Sequence, residues 1–185
     1  MLALALALPL AVAAAPQAGT PRRANELTLA GLHPGADKIG PPAKLYRGLP
    51  LASQSDGVFL WGDKCTHWEL RVEVDEGGIV QVVTVDSSYA PESKAECPAP
   101  PPSGASRSKL LQTGHGLSPG DTRERVVELY GKPNSAGPST RGSRDLDLLY
   151  YAFDWAGTHV PQVMEVYCDH ATGRVVEITL AFPSL

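Results

Sequence analysis

The chain has 185 residues, of which 43% are hydrophobic, so it has room for one domain of ordinary size or two small ones, and a large catalytic barrel is excluded. The 16 basic and 20 acidic side chains give a formal charge of −4, so no positive field favours nucleic acid or an anionic membrane surface. With 18 glycines and 17 prolines, the composition predicts a turn-rich globular chain.

The N-terminal run MLALALALPLAVAAA is continuously apolar and precedes a polar stretch that contains Arg22 and Arg23. It is shorter than the about 20 apolar residues that a membrane-spanning helix needs, and it is typical of a signal peptide. We therefore predict a signal peptide over residues 1–25, export to the periplasm or the medium, and no integral membrane span in the mature chain. The alternative is that these residues form a buried helix of the fold.

Internal similarity is the most informative feature of the sequence. Several landmarks occur twice in the same order, which predicts two copies of one supersecondary unit. The first set is Gly31-Leu32-His33-Pro34-Gly35, Leu45-Tyr46, Leu70-x-Val72-x-Val74-Asp75 and Gly78-Ile79-Val80, and the second is Gly116-Leu117-Ser118-Pro119-Gly120, Leu129-Tyr130, Met164-x-Val166-x-Cys168-Asp169 and Gly173-Arg174-Val175-Val176.

The two copies are predicted to be separate α+β repeats. The first covers residues 26–86 and the second covers residues 113–185. Residues 87–112 between them carry five prolines together with Ser, Ala and Glu, a composition typical of a linker.

In the first repeat, the helix is expected to be degenerate. Gly40-Pro41-Pro42 stands where the second copy has good helix formers, so at most about one turn is predicted around Ala43 to Arg47. Strands are predicted over residues 58–61, 68–75 and 79–85, the last two joined by the turn Glu76-Gly77-Gly78.

The second repeat has complete helix signals. Thr122 is a predicted N-cap, Gly131 a predicted stop, and Pro133 prevents continuation, which together predict a helix over residues 123–130. The polar stretch from Asn134 to Arg144 is predicted to be a mobile loop. Strands follow over residues 146–155, 163–169 and 174–182. The predicted fold class is therefore α+β, a tandem duplication of a helix plus three-stranded antiparallel sheet unit.

A motif in the second copy resembles a known repeat. Gly120-x-Thr122-x-Glu124-x-Val126 followed by Leu129-x-Gly131-x-Pro133, ahead of an aromatic strand and a Val-rich hairpin, is similar to the repeat unit of small outer-membrane assembly lipoproteins and of tandem-repeat β-lactamase inhibitory proteins. The likeness covers most of the second copy and, more faintly, the first. It implies a non-catalytic exported binding protein that uses a sheet face or a loop to hold a partner.

Three cysteines in an exported chain allow one disulfide and one free thiol. Cys65 and Cys97 flank the predicted strand pair of the first repeat, and closing such a loop removes about 3–4 kcal/mol of denatured-state freedom in the chain-entropy model. We therefore predict a Cys65–Cys97 disulfide. Cys168 alternates with Met164 and Val166, which predicts a buried, inert thiol.

Catalytic and metal motifs are weak. Gly116-Leu117-Ser118-Pro119-Gly120 matches the G-x-S-x-G nucleophile elbow, but Pro119 lacks the backbone N–H that the oxyanion hole of that elbow needs. Cys65-x-His67 and Cys168-Asp169-His170 hold metal-ligand residue types without the spacing of a known zinc finger. We predict no catalytic residue, no metal and no cofactor.

Binding is predicted on the aromatic strand of the second repeat and the turn after it. The residues are Tyr150, Tyr151, Asp154, Trp155 and His159, because large aromatics with polar ends dominate interface energies. The alternative is that the rings fill the core beneath the helix. The predicted function is an exported, non-enzymatic binding or envelope-associated protein, whose partner is another envelope or secreted protein and not nucleic acid. The alternative function is a small hydrolase or metal-dependent enzyme that uses the region of Asp154 and His159.

Overall fold

The computed structural model of the protein describes residues 25–40, 44–63, 67–87, 107–153 and 162–182. Several predictions fall on other parts of the chain. These are all but one residue of the signal peptide, both cysteines of the Cys65–Cys97 disulfide, most of the linker, and the turn that follows the aromatic strand.

One antiparallel sheet of nine strands dominates the structure. Its strands are β1 (Leu45–Tyr46), β2 (Leu49–Ser55), β3 (Val58–Asp63), β4 (Trp68–Val74), β5 (Val80–Asp86), β6 (Ser135–Arg141), β7 (Arg144–Phe153), β8 (Gln162–Asp169) and β9 (Val175–Ala181). Two helices are described, α1 (Arg107–Leu110) and α2 (Arg123–Tyr130). The spatial order of the strands is β1-β2-β3-β4-β5-β9-β8-β7-β6.

The predicted α+β class is wrong, because the described residues form a mainly-β fold. Where the sequence predicts at most about one helical turn, around Ala43 to Arg47, Leu45 and Tyr46 form β1 and pair with Pro50 and Leu49. Each half of the sheet also holds more than three strands, since β2 through β5 and β6 through β9 are each consecutive neighbours. Backbone pairing between strands therefore organises both halves, and a helix per unit does not.

The predicted loop over residues 134–144 is also wrong for most of its length. Residues Ser135–Arg141 form β6, which pairs along its whole length with β7. The segment has a polar and small-residue composition that does not signal a strand, and Pro138 is tolerated because β6 lies at the edge of the sheet. Tertiary pairing with an aromatic neighbour has overridden local propensity here.

Helix α2 matches its prediction. Thr122 adopts an extended backbone and accepts a hydrogen bond from Arg125 N–H through its hydroxyl, and Gly131 has a positive φ of 74° just after the last turn. Val126 and Tyr130 are buried against the sheet. No helix within the described residues is both long and apolar enough to cross a membrane.

The core lies on one face of the sheet. Buried side chains from the strands, including Trp61, Val83, Tyr151 and Ile178, join one apolar cluster. Leu29, Leu117 and Val126 come from outside the sheet and belong to the same cluster, so the N-terminal segment, the turn before α2 and α2 itself all pack on this side.

The opposite side, which we call the open face, carries the alternate residues of the same strands. Its central strands present half-buried polar side chains, including Thr84, Glu165 and Thr179. These three residues alternate with core residues along β5, β8 and β9.

Candidate functional site

The most organised group of charged side chains lies on the open face, around Tyr167. Tyr167 on β8 pairs across the ladder with Glu177 on β9, and Glu177 pairs on its other side with Asp86 on β5. Arg141 and Arg144 face each other at the β6–β7 turn. Strands β5, β8 and β9, which come from both halves of the sheet, thus meet a pair of arginines. We call this group the Arg141 cluster.

Arg141 makes the closest contacts of the Arg141 cluster. Its Nη1 donates to Glu177 Oε1 at 2.6 Å, and its Nη2 donates to the Tyr167 hydroxyl at 2.6 Å. Its guanidinium carbon lies 4.1 Å from the centre of the Tyr167 ring. Glu165 Oε2 in turn accepts from the Tyr167 hydroxyl at 2.8 Å. Charge-assisted hydrogen bonds and a cation–π contact therefore hold one arginine in one orientation.

Arg144 is less completely paired. Its Nη2 donates to Asp86 Oδ2 at 3.3 Å and lies 3.9 Å from Glu177 Oε2. Its Nη1 is buried and has no hydrogen-bond partner among the described residues. A guanidinium N–H in that state retains its capacity to donate.

Burial opposes ionisation of the carboxylate at the centre of the Arg141 cluster. Burial raises the pKa of Glu177. The positive charges of Arg141 and Arg144 oppose this rise, and the negative charge of Asp86 adds to it. The side chain of Glu177 is only 4% exposed, so its charge depends on the two arginines for compensation. On β4, burial and the neighbouring charge of Asp86 likewise raise the pKa of Glu69.

An apolar row borders the Arg141 cluster on the same face. It runs across four adjacent strands and consists of Val82, Ala181, Val163 and Ala152, which pair with one another in that order. All four side chains are half-buried. The open face thus combines a charged area with a neighbouring apolar one.

The two predicted binding residues that the structure describes lie on opposite faces of the sheet. Tyr150 lies on the open face and is half-buried, and it pairs with Glu165 across the ladder. Tyr151 is fully buried on the core face, where its hydroxyl donates to the Gly131 carbonyl at 3.1 Å and its ring packs 5.8 Å from that of Tyr130. Asp154, Trp155 and His159 lie outside the described residues.

The segment Gly116–Gly120, whose sequence matches the nucleophile-elbow pattern, ends in a turn. Ser118 is 8% exposed, and its backbone N–H donates to Asp121 Oδ2 at 2.8 Å. Gly120 N–H donates to the Val175 carbonyl at 2.7 Å, which ties the turn to β9. In the other half, Gly35 N–H donates to the Val80 carbonyl at the same distance.

Cys168 is a buried, unpaired thiol, as its alternation along β8 predicts. Burial raises its pKa to about 11. A thiol in that state is a poor nucleophile and a poor metal ligand at neutral pH. Among the described residues, no group of three or more His, Cys, Asp or Glu side chains is arranged to hold a metal ion.

Besides Glu177, sequence reasoning missed a second buried carboxylate, Glu26, which is 1% exposed. Its Oε1 accepts the N–H groups of Leu27, Thr28 and Gly114. Its Oε2 accepts from the Tyr130 hydroxyl at 2.6 Å and from the N–H of His115 at 3.1 Å, and it lies 2.9 Å from His115 Nδ1.

Glu26 therefore ties the N-terminal segment to the turn before α2 and to α2 itself. Burial raises the pKa of Glu26, but the hydrogen bonds from Tyr130, Thr28 and His115 outweigh it and bring the pKa below its ordinary value. No local pattern signals this role, because a single Glu in a polar stretch is typical of a solvated residue.

No family model matches the chain, and neither a curated protein nor a solved structure matches it. The geometry of the described residues is thus the basis for a functional proposal.

Proposed function

We propose that this protein is an exported, non-enzymatic binding protein that holds another envelope or secreted protein against the open face of its sheet. The observation that carries the proposal is the Arg141 cluster, in which one arginine is held against Tyr167 and Glu177 on the side of the sheet away from the core. The motif between Gly120 and Pro133, which resembles a repeat of exported binding proteins, favours the same function.

The residue types support a protein partner. Arginine and tyrosine dominate the energy of protein–protein interfaces, and their contribution is greatest where the side chain is already ordered before binding. Arg141 is fixed by two hydrogen bonds of 2.6 Å, so little side-chain entropy remains to be lost when a partner docks.

The arrangement of the open face supports the same conclusion. An apolar row beside a charged cluster has the composition of an interface, in which a partner's apolar groups are covered at the centre and polar groups surround them. The row spans four strands, and adjacent antiparallel strands are about 4.8 Å apart, so it is wide enough to contact a surface of another protein.

A photo-crosslinking experiment tests the proposal. A photoreactive residue replaces Val163 on the open face in one protein and Val127, an exposed residue of α2, in a matched control. Each protein is produced and exported by the native host, and the cells are then irradiated. We expect one discrete crosslinked protein with the probe at position 163, its loss when Arg141→Ala is added, and no such product with the probe at 127.

Two results would contradict the proposal. One is the same set of products from both probe positions, and the other is a product at position 163 that persists unchanged in Arg141→Ala. The enzyme alternative is tested separately by the double variant Asp154→Ala/His159→Ala, which should keep the crosslinked partner if the protein acts by binding.

A further inference from the structure

The two halves of the sheet place Ile39 and Arg123 in equivalent positions. Ile39 N–H donates to the Gly78 carbonyl at 3.0 Å, and Arg123 N–H donates to the Gly173 carbonyl at 2.9 Å. The residues just before them pair in the same way, since Lys38 bridges to Ile79 and Thr122 bridges to Arg174. Each residue thus lies beside the turn that joins the last two strands of its half, β4 and β5 for Ile39 and β8 and β9 for Arg123.

In the second half, the side chain of Arg123 fills this position. Its Nη1 lies 3.1 Å from Asp147 Oδ2, and Asp147 Oδ1 lies 3.2 Å from His170 Nδ1. The positive charge of Arg123 also acts on the thiol of Cys168, the residue that pairs with Asp147 across the ladder. Arg123, Asp147 and Cys168, which lies near the end of β8, therefore form one group.

In the first half, the corresponding place is a pocket. Val74 is the equivalent of Cys168, and its N–H donates to the Gly57 carbonyl at 2.8 Å. The equivalent of Arg123 is the apolar Ile39. The pocket has a volume of about 420 Å³. Its lining includes the apolar side chains Ile39, Phe59 and Val74 and the carboxylates Asp56, Asp75 and Glu76, and we call it the acidic pocket.

Two of the three carboxylates are available for a ligand. Asp75 Oδ1 already accepts the N–H groups of Gly77 and Ile79, and its Oδ2 accepts from Gln81. Among the described residues, Asp56 Oδ2 accepts only from the adjacent Ser55 hydroxyl, at 3.1 Å, and Glu76 has no hydrogen-bond partner. Both side chains are exposed, so a ligand can reach them from solvent.

We propose that the acidic pocket binds the side chain of an arginine from a partner polypeptide. The guanidinium pairs with Asp56 and Glu76, and the methylene stem packs on Ile39, Phe59 and Val74. The internal precedent is Arg123, the residue that occupies the equivalent place in the other half. Arginine fits better than lysine, because its planar fork can reach two carboxylates at once and is more weakly hydrated. The proposal is independent of binding at the open face.

Nuclear magnetic resonance titration with N-acetyl-arginine amide tests this. We expect saturable shifts of the backbone amides of Gly57, Val74 and Gly78, weaker binding of N-acetyl-lysine amide, and no saturable shifts with the uncharged N-acetyl-norleucine amide. The double variant Asp56→Asn/Glu76→Gln should weaken the binding of the arginine amide about tenfold. The matched control Glu128→Gln removes an exposed carboxylate from α2 and should leave the binding unchanged.

A second variant supplies the missing cation from the chain itself. Ile39→Arg places a guanidinium where Arg123 stands in the other half, and we expect it to abolish binding of the arginine amide while the rest of the amide spectrum stays that of the folded protein. The proposal is overturned if norleucine amide binds as well as arginine amide, if Asp56→Asn/Glu76→Gln binds like the wild type, or if folded Ile39→Arg does. Arg141→Ala should bind the arginine amide normally, which separates this site from the open face.

Discussion

The hydroxyl oxygens of Thr84 and Thr179 lie 3.0 Å apart, and the two residues are direct partners in the pairing of β5 with β9. This pair stands where the two halves of the sheet join. A second crossing occurs outside the strands, where Leu29 bridges to Thr113. The halves are therefore connected both at the centre of the sheet and by the bridge between Leu29 and Thr113. We therefore expect the two halves to unfold together.

The threonine pair gives a double-mutant cycle across the junction. Thr84→Val alone leaves the Thr179 hydroxyl without this partner, so we expect a loss of about 1 kcal/mol in the free energy of unfolding. Thr179→Val should cost a similar amount, and the double variant should be less destabilised than the sum, because both hydroxyls are then gone. Urea denaturation measures all four proteins. Strict additivity would show that the hydrogen bond contributes nothing.

The hydrogen bond between Tyr130 and Glu26 predicts a large effect from a small change. Tyr130→Phe removes the 2.6 Å donor to a carboxylate that is 1% exposed, along with the 2.7 Å contact to the Thr113 hydroxyl. We expect the free energy of unfolding to fall by about 1–3 kcal/mol. Tyr46→Phe is the control, because the Tyr46 hydroxyl donates to a neutral acceptor, the Ala30 carbonyl, and should cost less. Equal losses would contradict the role given to Glu26.

Glu26 also predicts a dependence of stability on pH. Because its pKa in the folded protein is below the ordinary value of 4.5, its contribution to stability is complete above pH 4.5 and is lost as the pH falls through the folded pKa. Glu26→Gln removes that contribution. We therefore expect the difference in unfolding free energy between wild type and Glu26→Gln to shrink below pH 4.5, measured by urea denaturation at a series of pH values. A difference that grows on acidification would contradict the prediction.

Local signals in the sequence were sufficient for some elements and not for others. Helix α2 carries its own N-cap and stop, so its bounds follow from residues 122–131 without knowledge of its surroundings. Strand β6 has no such signal, because its small and polar residues form a strand only by pairing with β7. The same reason explains the failure of the α+β prediction, since long-range pairing decides how many strands each half contains.

The candidate site was hidden for a related reason. Arg141 lies at the end of β6, a segment assigned to a loop, so its contact with Tyr167 and Glu177 depends on three strands that are distant in sequence. Tyr150 and Tyr151 are adjacent on β7 and therefore point to opposite faces of the sheet. Which of the two is buried depends on which face the rest of the chain covers, and the sequence of the strand alone does not decide this. Alternation did suffice for Cys168, whose neighbours Met164 and Val166 are also buried.

Cys168 is predicted to be unreactive in the folded protein. It is 0% exposed, and burial raises its pKa to about 11, so both access and thiolate content are low at neutral pH. We expect iodoacetamide at pH 7.5 to label the peptide that contains Cys168 at least tenfold more slowly in buffer than in urea. Mass spectrometry of the digested protein measures each cysteine separately. Labelling at the same rate in both conditions would show that β8 opens readily.

The Arg141 cluster predicts a contrast between two arginines that each make an ion pair. Arg141→Ala leaves Glu177, whose side chain is 4% exposed, without its 2.6 Å donor and removes the cation from the Tyr167 ring. We expect a loss of about 1–2 kcal/mol, discounted from the cost of breaking a fully buried pair because Arg141 is partly exposed. Arg125→Ala breaks the pair with Glu128 on the surface of α2 and should leave the free energy of unfolding unchanged within error.

The double variant Arg141→Ala/Glu177→Gln should recover part of the loss, since the uncompensated buried charge is then removed. Urea denaturation at pH 7 compares the three variants with the wild type, and equal stabilities of Arg141→Ala and Arg125→Ala would show that the cluster does not hold Arg141 in place.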